Sequence, residues 1–514
     1  MKNLKKPIIW TISGADCSGG AGIAADIKTG HRLDVEVCHL ITANTVQNST
    51  SLISINPTAI DILQQQVAAL ILDKPPVVIK IGLLVNLEQV NWLVATINLL
   101  KKQLSQQQFK QQPKPHAKLQ SKLQVIYDPV GQASVGGKFS TLTRDDLRPL
   151  FAVCDLLTPN LLEARYFSDN DSANVKIQAQ QLLNFGVNSV IIKGGHADDE
   201  FSTDYCLHTL DIDDRELIEY QLHSPRITTH CSHGGGCSFA SALSAFLAHG
   251  YLLRDAFTLT KAFINQGLSA HLEKNDYYGA FEQTTWPQNP VYFPKVCSAL
   301  NRQYASLPAF PSLFLSERLG LYPVVDSIAW LKRLLPLNLN IIQLRLKNKT
   351  TRELEQIIAE AVDISRDYDT RLFINDYWQL AIKHGAYGVH IGQEDLHDAD
   401  LAVIQQAGLR LGISTHGCYE FLLAQQLKPS YLAVGAIFPT KTKDMTGQIQ
   451  GVENLKHLLT LATDIPVVAI GGINLSRVSE VSQTGVDGIA VVTAVTEAED
   501  HKQAITDFQE VLRS

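Results

Sequence analysis

The stretch RLFINDYWQLAIKHGAYGVHIGQED, residues 371–395, contains two short apolar runs, and each run ends in acidic residues. The segment between them predicts a helix, because its apolar residues share one face and Gly385 can terminate it. A strand, a helix and a second strand are typical of parallel α/β architecture, in which ligands bind at the carboxyl ends of the strands. We therefore expect Asp376 and Asp395 to lie side by side at one rim.

Two carboxylates at such a rim form a candidate magnesium site. Proteins bind Mg²⁺ through one or two carboxylates, and substrate phosphates complete its coordination. The alternative is that Asp376 and Asp395 each cap the helix that follows. This stretch alone leaves both interpretations open.

The same pattern repeats along the second half of the chain. Eight strand-like runs, separated by helical stretches, occupy residues 319–326, 340–347, 372–376, 388–393, 409–415, 431–440, 465–473 and 488–495. Eight such units in about 200 residues predict a (β/α)8 TIM barrel. We assign residues 312–514 to this barrel domain.

The active face of a TIM barrel is formed by residues at the carboxyl ends of its strands. Besides the two carboxylates, these residues are Gln343, Arg345, Lys347, Asn375, Ser414, Thr440, Thr442, Lys443, Gly471, Gly472 and Thr493. Cations, amides and hydroxyls together suit a diphosphate, and the loops after strands seven and eight suit a second phosphorylated substrate. Taken singly, Gln343 and Ser414 are equally compatible with inert strand ends, and Arg345 and Lys347 with an exposed ion-pair face.

The composition of the whole chain limits its function class. Its 514 residues are enough for two or three domains, and 45% hydrophobic with 18% charged residues is typical of a soluble globular protein. A net charge of -7 without a basic block disfavours nucleic acid as the main ligand. No apolar run has the length of a membrane span. The eight scattered cysteines form no CxxC pair, which favours the reducing cytoplasm.

The first half of the chain also alternates strands with helices, which predicts a mainly parallel sheet covered by helices over residues 1–275. A first strand at 7–13 opens into the glycine-rich turn GADCSGGAG, residues 14–22. Later strands end at Asp128, at Asn160 with Glu163, and at Lys193. Polar residues at so many strand ends exceed what helix capping would supply.

The segment THCSHGGGCSFA, residues 229–240, places Gly234, Gly235 and Gly236 directly before Cys237 at the start of a long helix. Free N–H groups and the positive end of the helix dipole form an anion hole suited to a transferring phosphoryl group. We expect the dipole to favour the Cys237 thiolate, which suits abstraction of a hydroxyl proton. An ordinary helix-start residue is the alternative.

Two segments lack the alternating pattern. Residues 101–122 have Gln and Lys in excess and no apolar period, which predicts a mobile surface insertion. Residues 276–311 are rich in aromatic residues and proline, without a Gly/Ser run, and predict a packed linker.

The motifs ISGADCSGGAGIAADIKT, TANTVQNS, KIGLL, DPV, TPNLLEA, IIKGGH and HGGGC occur in the order found in hydroxymethylpyrimidine/phosphomethylpyrimidine kinases of thiamine biosynthesis. Over residues 7–272 the chain resembles this family, which implies a ribokinase-like fold with ATP as co-substrate. The resemblance implies that Asp26 and Gln47 hold the aminopyrimidine and that Asn160 and Glu163 serve the Mg·ATP side. As single residues, Asp26 has a surface charge and Gln47 a turn residue as the alternative.

The same resemblance implies that Lys193 faces the nucleotide phosphates, with the three glycines beside them, and that Cys237 is the catalytic base. A solvated strand end is the alternative for Lys193. The chain departs from the family where it has Gly-Gly-Gly-Cys in place of the usual Gly-Thr-Gly-Cys, which removes a hydroxyl near the phosphates. The stretch GQASVGG, residues 131–137, also lacks the usual pattern.

In the second half, QLRLK, FINDYWQLAIKHGAYGVHIGQEDL, GISTH, FPTKTK, AIGGI and VVTAV resemble thiamine-phosphate synthase over residues 312–514. The resemblance implies that Asp376 and Asp395 bind Mg²⁺. The residues implied to bind hydroxymethylpyrimidine diphosphate are Gln343, Leu344, Arg345, Leu346, Lys347, Asn375, Ser414 and Lys443. Those implied to bind thiazole phosphate are Thr440, Lys441, Thr442, Gly472, Val492 and Thr493. Arg345, Lys347 and Lys443 are then catalytic, because they stabilise charge on the departing pyrophosphate.

Together the resemblances imply a bifunctional enzyme of thiamine biosynthesis. The first half phosphorylates hydroxymethylpyrimidine and its monophosphate, and the second joins the diphosphate to thiazole phosphate. The alternative is an active barrel whose N-terminal domain is a kinase for another vitamin-like alcohol or a non-catalytic pyrimidine-binding module. The expected partners are these small molecules, without nucleic acid or membrane, and homo-oligomer formation is left open.

Overall fold

The computed structural model describes residues 6–48, 51–110, 122–130, 140–168, 174–195, 200–209, 216–270, 279–313, 318–440 and 449–513. The chain divides into two compact units, Met1–Cys297 and Ser298–Ser514. Each unit has its own sheet. Within the described ranges, no helix is long and apolar enough to cross a membrane.

The first unit is built on a ten-stranded sheet in the order β10-β9-β8-β7-β6-β5-β4-β1-β2-β3. Its strands are β1 Ile8–Asp16, β2 Glu36–Gln47, β3 Leu52–Pro57, β4 Val78–Ile81, β5 Gln124–Tyr127, β6 Leu156–Leu157, β7 Ser189–Ile192, β8 Phe201–Thr209, β9 Leu217–Pro225 and β10 Lys295–Val296. Its helices are α1 Gly22–Arg32, α2 Ile60–Asp73, α3 Leu87–Lys110, α4 Arg144–Phe151, α5 Leu161–Ser168, α6 Val175–Leu183, α7 Gly235–Ala248 and α8 Leu253–Ser269.

The central strands β2, β1, β4, β5, β6 and β7 are parallel, which confirms the predicted sheet. The strands β4, β5, β6 and β7 are short and largely apolar, as expected where helices cover both faces, whereas β1 and β2 are longer and end in polar residues. Trp10, Ile79 and Val125 are fully buried in this core. Because the strands run in one direction, all their carboxyl ends lie on one edge of the sheet.

The second unit is a closed barrel of eight parallel strands, which confirms the predicted TIM barrel. The strands are β11 Gly320–Val325, β12 Ile341–Leu344, β13 Arg371–Asn375, β14 Gly388–Ile391, β15 Arg410–Thr415, β16 Tyr431–Val434, β17 Val467–Ile470 and β18 Gly488–Val491. The helices are α9 Ala299–Gln303, α10 Ile328–Leu334, α11 Thr351–Ser365, α12 Trp378–His384, α13 Leu401–Gln406, α14 Cys418–Gln426, α15 Gly451–Leu461, α16 Val478–Ser482, α17 Thr493–Thr496 and α18 His501–Arg513. Several strands end earlier than predicted, so the polar residues that follow them lie in loops at the rim.

The two segments without a pattern differ from expectation. Residues 101–110 continue helix α3, and Lys101 Nζ donates to the Val153 carbonyl at 2.8 Å, which ties this part to the body. Residues 111–121 lie outside the described residues. The predicted linker is divided between the units: Phe281 is buried in the first, where β10 pairs with β9, and Tyr304 is buried in the second. Phe281 and Tyr304 are therefore part of the two cores.

Candidate active sites

Lys193 and Asp128 form an ion pair at the carboxyl edge of the first sheet. Lys193 Nζ donates to Asp128 Oδ1 at 2.6 Å, and Thr158 Oγ1 donates to the same oxygen at 2.9 Å. A Cβ built on Gly236 would lie 3.7 Å from Lys193 Nζ. The predicted phosphate-facing lysine therefore lies beside the glycine-rich start of α7. The solvated strand end considered for Lys193 is wrong, because its ammonium is largely buried against a carboxylate.

The three glycines at the start of α7 are not equivalent. Gly234 is the N-cap with φ +82°, and a Cβ there would meet the Gly20 carbonyl oxygen at 1.9 Å, so only glycine fits. The Gly235 N–H donates to the Ser232 carbonyl at 3.0 Å. Because the first N–H groups of a helix have no partner within it, an anion hole here would depend mainly on Gly236 and Cys237.

Cys237 lies in the first turn of α7, as expected, but its ionisation differs from the prediction. Burial raises the pKa of the Cys237 thiol to about 11, and the nearby Lys80 ammonium and a backbone hydrogen bond from Gly22 lower it only in part. The expectation that the thiolate is favoured is therefore wrong. Desolvation outweighs the helix dipole, and the thiol holds its proton at neutral pH.

Asp26 has a different environment from the one predicted. It is fully buried on α1, where its carboxylate accepts from Lys80 Nζ at 3.0 Å, from Ser241 Oγ at 2.6 Å and from the Thr11 hydroxyl. A carboxylate enclosed in this way has no surface for an aminopyrimidine and is no surface charge, so both interpretations of Asp26 are corrected. The missed signal was Lys80 itself, a single lysine inside an apolar strand, because a buried charge requires a partner.

Gln47 is the last residue of β2, and its side chain faces the carboxylate of Asp16, which was not predicted from the sequence as a site residue. Asp16 accepts from His233 Nε2 at 2.8 Å, from the Ser18 and Ala21 backbone N–H groups, and from the Gln47 side chain. Burial raises the pKa of Asp16, but these hydrogen bonds outweigh it and hold the pKa well below the usual range. The arrangement joins both glycine-rich segments around one anionic group. Its position within GADCSGG was an available signal.

Asn160 and Glu163 form a reciprocal capping pair at the start of α5. The Asn160 N–H donates to Glu163 Oε2 at 2.8 Å, and the Glu163 N–H donates to Asn160 Oδ1 at 2.9 Å. Helix capping accounts for these contacts. The Glu163 charge also contributes to raising the pKa of Lys193, so the pair lies within electrostatic reach of the edge.

In the barrel, Asp376 and Asp395 are brought together at the rim. The pKa of Asp376 is raised to about 6, mainly by burial and also by the charge and a hydrogen bond of Asp395, whereas the Arg345 charge and a backbone hydrogen bond from Gly392 lower it. The helix-cap alternative is wrong for both residues. The N-cap of α12 is Tyr377 without a side-chain bond, and the N-cap of α13 is Asp400.

The carboxylate pair fits a divalent cation of the Mg²⁺ type. Two carboxylates in contact repel each other, and Mg²⁺ requires no more than one or two of them when substrate phosphates supply further oxygens. Asp376 is held with φ +64°, and Asn375 Nδ2 donates to its carboxylate. The described residues contain no group of three or more His, Cys, Asp or Glu that could hold a metal ion.

A chain of hydrogen bonds between uncharged side chains crosses the barrel interior beneath this rim. Gln343 Nε2 donates to the Tyr322 hydroxyl at 3.1 Å, and the Tyr322 and Tyr431 hydroxyls are 2.9 Å apart. His390 Nδ1 lies 2.8 Å from the Tyr431 hydroxyl, and its Nε2 lies 2.8 Å from Ser414 Oγ. Burial lowers the pKa of His390 to about 3, so the ring is neutral. These hydrogen bonds connect Gln343 with Ser414 and fix both side chains in position.

Sequence reasoning missed the three residues in the middle of this chain. The sequence did contain a signal for Tyr322, His390 and Tyr431, because each places a polar group in an otherwise apolar strand. Gly412 makes room for one of them, since a Cβ there would meet the Tyr431 ring at 2.2 Å.

The remaining predicted residues of the barrel that the structure describes lie at or beyond the carboxyl ends of its strands. Arg345 is half-buried and Lys347 exposed, just beyond β12. The Leu344 and Leu346 side chains are buried in the core, so their contact with a ligand would be through the backbone. Gly472 has φ +65° and precedes the loop to α16, Val492 is the N-cap of α17, Thr493 is its first residue, and Thr440 ends a described range. Lys441, Thr442 and Lys443 lie outside the described residues.

Known proteins resemble each unit separately. A family model described as phosphomethylpyrimidine kinase matches residues 16–108 and 112–282, and one described as thiamine monophosphate synthase matches residues 321–495. A thiamine-phosphate synthase from Yersinia pseudotuberculosis is 55% identical over 197 residues, which cover 38% of this chain and 91% of that protein.

Among solved structures, the pyridoxal kinase from Staphylococcus aureus in complex with AMP-PCP and pyridoxal is 25% identical with a TM-score of 0.43, covering 57% of this chain and 98% of its own. The phosphomethylpyrimidine kinase from Clostridium difficile 630 is 27% identical with a TM-score of 0.40, covering 51% of this chain and 99% of its own. The family matches and the curated relative show that the chain belongs to the phosphomethylpyrimidine kinase family through its first unit and to the thiamine-phosphate synthase family through its second.

Proposed function

We propose that the chain carries out two consecutive steps of thiamine biosynthesis. The first unit transfers phosphoryl groups from ATP to hydroxymethylpyrimidine and then to its monophosphate. The second unit joins the resulting diphosphate to thiazole phosphate and releases pyrophosphate. Membership of both transferase families supports a bifunctional enzyme, with residues 1–275 as the kinase and 312–514 as the synthase. The observation that carries the proposal is that each unit has its own cluster of ionisable groups at the carboxyl edge of its parallel strands.

In the kinase unit, Lys193 and the N–H groups of Gly236 and Cys237 face the phosphoryl group in transfer. Fixed donors of this kind stabilise the charge that develops in the transition state. Gln47, held beside Asp16, contacts the pyrimidine, and Asn160 with Glu163 serves the Mg·ATP side. The Cys237 thiol is protonated at neutral pH, so it first releases its proton to water, and the resulting thiolate then accepts the proton of the substrate hydroxyl.

In the synthase unit, Asp376 and Asp395 hold Mg²⁺, which when bound supplies positive charge beside the departing pyrophosphate. Arg345 and Lys347 add cationic side chains at the same rim, just beyond β12, and Lys443 supplies a further positive charge for the pyrophosphate. The bond between the pyrimidine methylene carbon and the diphosphate oxygen breaks, and the thiazole nitrogen forms a new bond to that carbon with its lone pair. No general base is needed, because that nitrogen carries no proton.

The other residues of the synthase unit orient the two substrates. Gln343 and Ser414, fixed by the interior hydrogen-bond chain, hold the pyrimidine, and the backbone at Leu344 and Leu346 and the Asn375 side chain complete its site. The thiazole phosphate is held by Thr440, Lys441, Thr442, Gly472, Val492 and Thr493. Holding both partners in place contributes on the order of 7–11 kcal/mol by converting a bimolecular encounter into a positioned one.

The proposal is tested with the purified chain alone. Hydroxymethylpyrimidine, ATP, Mg²⁺ and thiazole phosphate should yield thiamine phosphate, followed by chromatography. Omission of ATP should stop formation, and pre-made pyrimidine diphosphate should restore it without ATP. Product from the pre-made diphosphate alone, however long the kinase step is given, would favour a first unit that acts on another alcohol or only binds a pyrimidine.

We further propose a cytoplasmic location with small molecules as the substrates. The scattered cysteines without a CxxC pair and the absence of a basic block support this assignment. A fusion of the full chain to a fluorescent protein tests the location.

A further inference from the structure

Asp26 joins four elements of the first unit. Its carboxylate, carried by α1, accepts hydrogen bonds from Thr11 on β1, from Lys80 on β4 and from Ser241 on α7. Lys80 Nζ lies 3.0 Å from both carboxylate oxygens, and both side chains of this ion pair are essentially inaccessible. No other part of the proposed kinase mechanism uses this pair.

The ion pair lies directly under the start of α7. Ser241 follows Cys237 by four residues, so the two side chains share one face of the helix. The charged groups that act on the Cys237 thiol are Lys80 on β4, Asp26 on α1 and Asp128 after β5, and the thiol in turn acts on Lys193 after β7. A Cβ on Gly82 would come within 3.1 Å of Lys80 Nζ, which shows how closely the backbone surrounds the ammonium.

A buried ion pair is a costly way to fill a core. Removing two charges from water can cost more than their attraction returns, and apolar side chains of similar volume are often at least as stabilising. The pair also has its remaining hydrogen-bonding capacity used on two other elements, which fixes its geometry. Its position under the first turn of α7 therefore calls for a role beyond stability.

We propose that the Lys80–Asp26 ion pair positions Cys237 for phosphoryl transfer. Asp26 anchors the first turns of α7 to the sheet through Ser241, and Lys80 places a fixed positive charge near the thiol. Both residues are positioning residues, since neither reaches the surface. The inference rests on the kinase function proposed for the first unit.

Two single substitutions in the full chain test separately the hydrogen bond between Ser241 and Asp26 and the positive charge of Lys80. Ser241→Ala removes the hydrogen bond between α7 and Asp26 without changing any charge. We expect kcat for hydroxymethylpyrimidine phosphorylation to fall by about tenfold to 10²-fold, because small misplacements of reacting groups have effects of this size. The KM for ATP should change by less than about threefold, since the Lys193 side of the site is untouched.

Lys80→Met removes the positive charge. The thiolate is the species that iodoacetamide alkylates, so the rate of alkylation at the Cys237 peptide, measured by mass spectrometry against pH, reports the thiol directly. We expect the midpoint of that profile to move upward by about 1 pH unit or more in this variant, and to stay in place in Ser241→Ala. A purely structural role of the ion pair would not shift the alkylation midpoint in Lys80→Met while leaving it unchanged in Ser241→Ala.

Lys101→Met is the matched control. Lys101 forms an ion pair with Asp155 at 3.0 Å, at the opposite edge of the same sheet. This variant should keep the wild-type kcat and alkylation profile. Wild-type kcat in Ser241→Ala overturns the proposal, and so does an unchanged alkylation midpoint in Lys80→Met. If Lys80→Met does not fold, the Ser241→Ala result decides. Absence of kinase activity in the wild-type chain would instead refute the proposed function, and the alkylation profiles would still test the effect on the thiol.

Discussion

The two active sites satisfy their buried polar groups in opposite ways. Beneath the kinase site, Lys80 pairs with Asp26 and Lys193 with Asp128, so the polar groups are ions. Beneath the synthase rim, the interior chain from Gln343 to Ser414 is formed entirely by uncharged groups. We interpret the difference through the substrates. In the proposed function, the kinase site holds a strongly anionic nucleotide, whereas Gln343 and Ser414 contact a neutral heterocycle.

This contrast has energetic consequences. Removing one partner of a buried ion pair typically costs about 3–5 kcal/mol, because a charge is left without compensation. Removing one uncharged hydrogen-bonding partner costs about 1–3 kcal/mol. Substitutions beneath the kinase site should therefore destabilise the protein more than those in the barrel interior, whereas at the barrel rim, where charges meet, effects on activity should be greatest.

The largest expected effect concerns the rim. Asp376→Ala should reduce thiamine-phosphate formation from pre-made diphosphate by about 10³-fold, since the removed carboxylate positions the charge that stabilises the leaving group. ATP turnover by the first unit should be unchanged, because the two sites lie in separate units. Both activities are measured on the same preparation by chromatography.

Asp400→Ala is the matched control for loss of a carboxylate. Asp400 is the N-cap of α13, and its carboxylate accepts from the backbone N–H groups of Ala402 and Val403, so the variant should keep near-normal synthase activity. Equal loss in the two variants, or loss of ATP turnover with Asp376→Ala in a folded chain, would contradict separate sites and a special role for the rim.

The second effect concerns the kinase thiol. Cys237→Ala should lower phosphorylation of hydroxymethylpyrimidine by about 10²–10⁴-fold, the usual contribution of a positioned base, while nucleotide binding measured by calorimetry persists. Cys418→Ala, which removes a buried thiol from the barrel unit, should leave phosphorylation intact. Unchanged turnover in Cys237→Ala would show that the thiol is not the base.

The third effect is a difference in pH dependence between the two activities. Because the pKa of Cys237 is about 11, the deprotonated fraction of the thiol rises by about tenfold per pH unit below that value. Kinase kcat should therefore still increase between pH 7 and about pH 9, and Cys237→Ala should flatten the rise. The synthase step needs no base and should increase less over the same interval. If kinase and synthase activity rise equally with pH over this interval, the two sites do not differ in their need for a deprotonated base.

The parts of the molecule that could be predicted are those set by local pattern. Each barrel strand is an apolar run of four to six residues, and the rule that ligands meet strand ends brought Asp376 and Asp395 together correctly. The environment of Asp26 could not be predicted in this way. Its partners Lys80 and Ser241 are 54 and 215 residues away, and only the folded sheet brings them into contact.

The same reasoning explains the error at Cys237. The position of the thiol at a helix start is visible in the sequence, whereas its burial is a property of the packing of several elements around α7. Burial dominates the pKa of the thiol, so a prediction from the helix dipole alone has the wrong sign.

The smallest expected effect lies in the uncharged chain and tests the comparison most directly. Tyr431→Phe removes the hydroxyl that bonds both Tyr322 and His390, so the barrel should lose about 1–3 kcal/mol of stability, less than the kinase unit loses in Lys80→Met. Hydrogen exchange followed by mass spectrometry resolves the two units separately. The KM for pyrimidine diphosphate should rise by about threefold to tenfold, since Gln343 and Ser414 lose their shared anchor, with kcat less affected.

Tyr387→Phe is the control expected to leave that KM unchanged, because its hydroxyl donates to the Leu313 carbonyl at 3.3 Å and contacts neither Gln343 nor Ser414 among the hydrogen bonds of the described residues. If Tyr431→Phe destabilises the barrel unit as much as Lys80→Met destabilises the kinase unit, the expected difference in stability between buried ion pairs and uncharged hydrogen bonds is wrong. If the KM rises equally in both tyrosine variants, the hydrogen-bond chain stabilises the barrel without orienting the pyrimidine. A rise confined to Tyr431→Phe, with the smaller stability loss, would mean that the barrel uses neutral hydrogen bonds to orient a neutral ring, where the kinase site uses ions to place a thiol beside transferring phosphate.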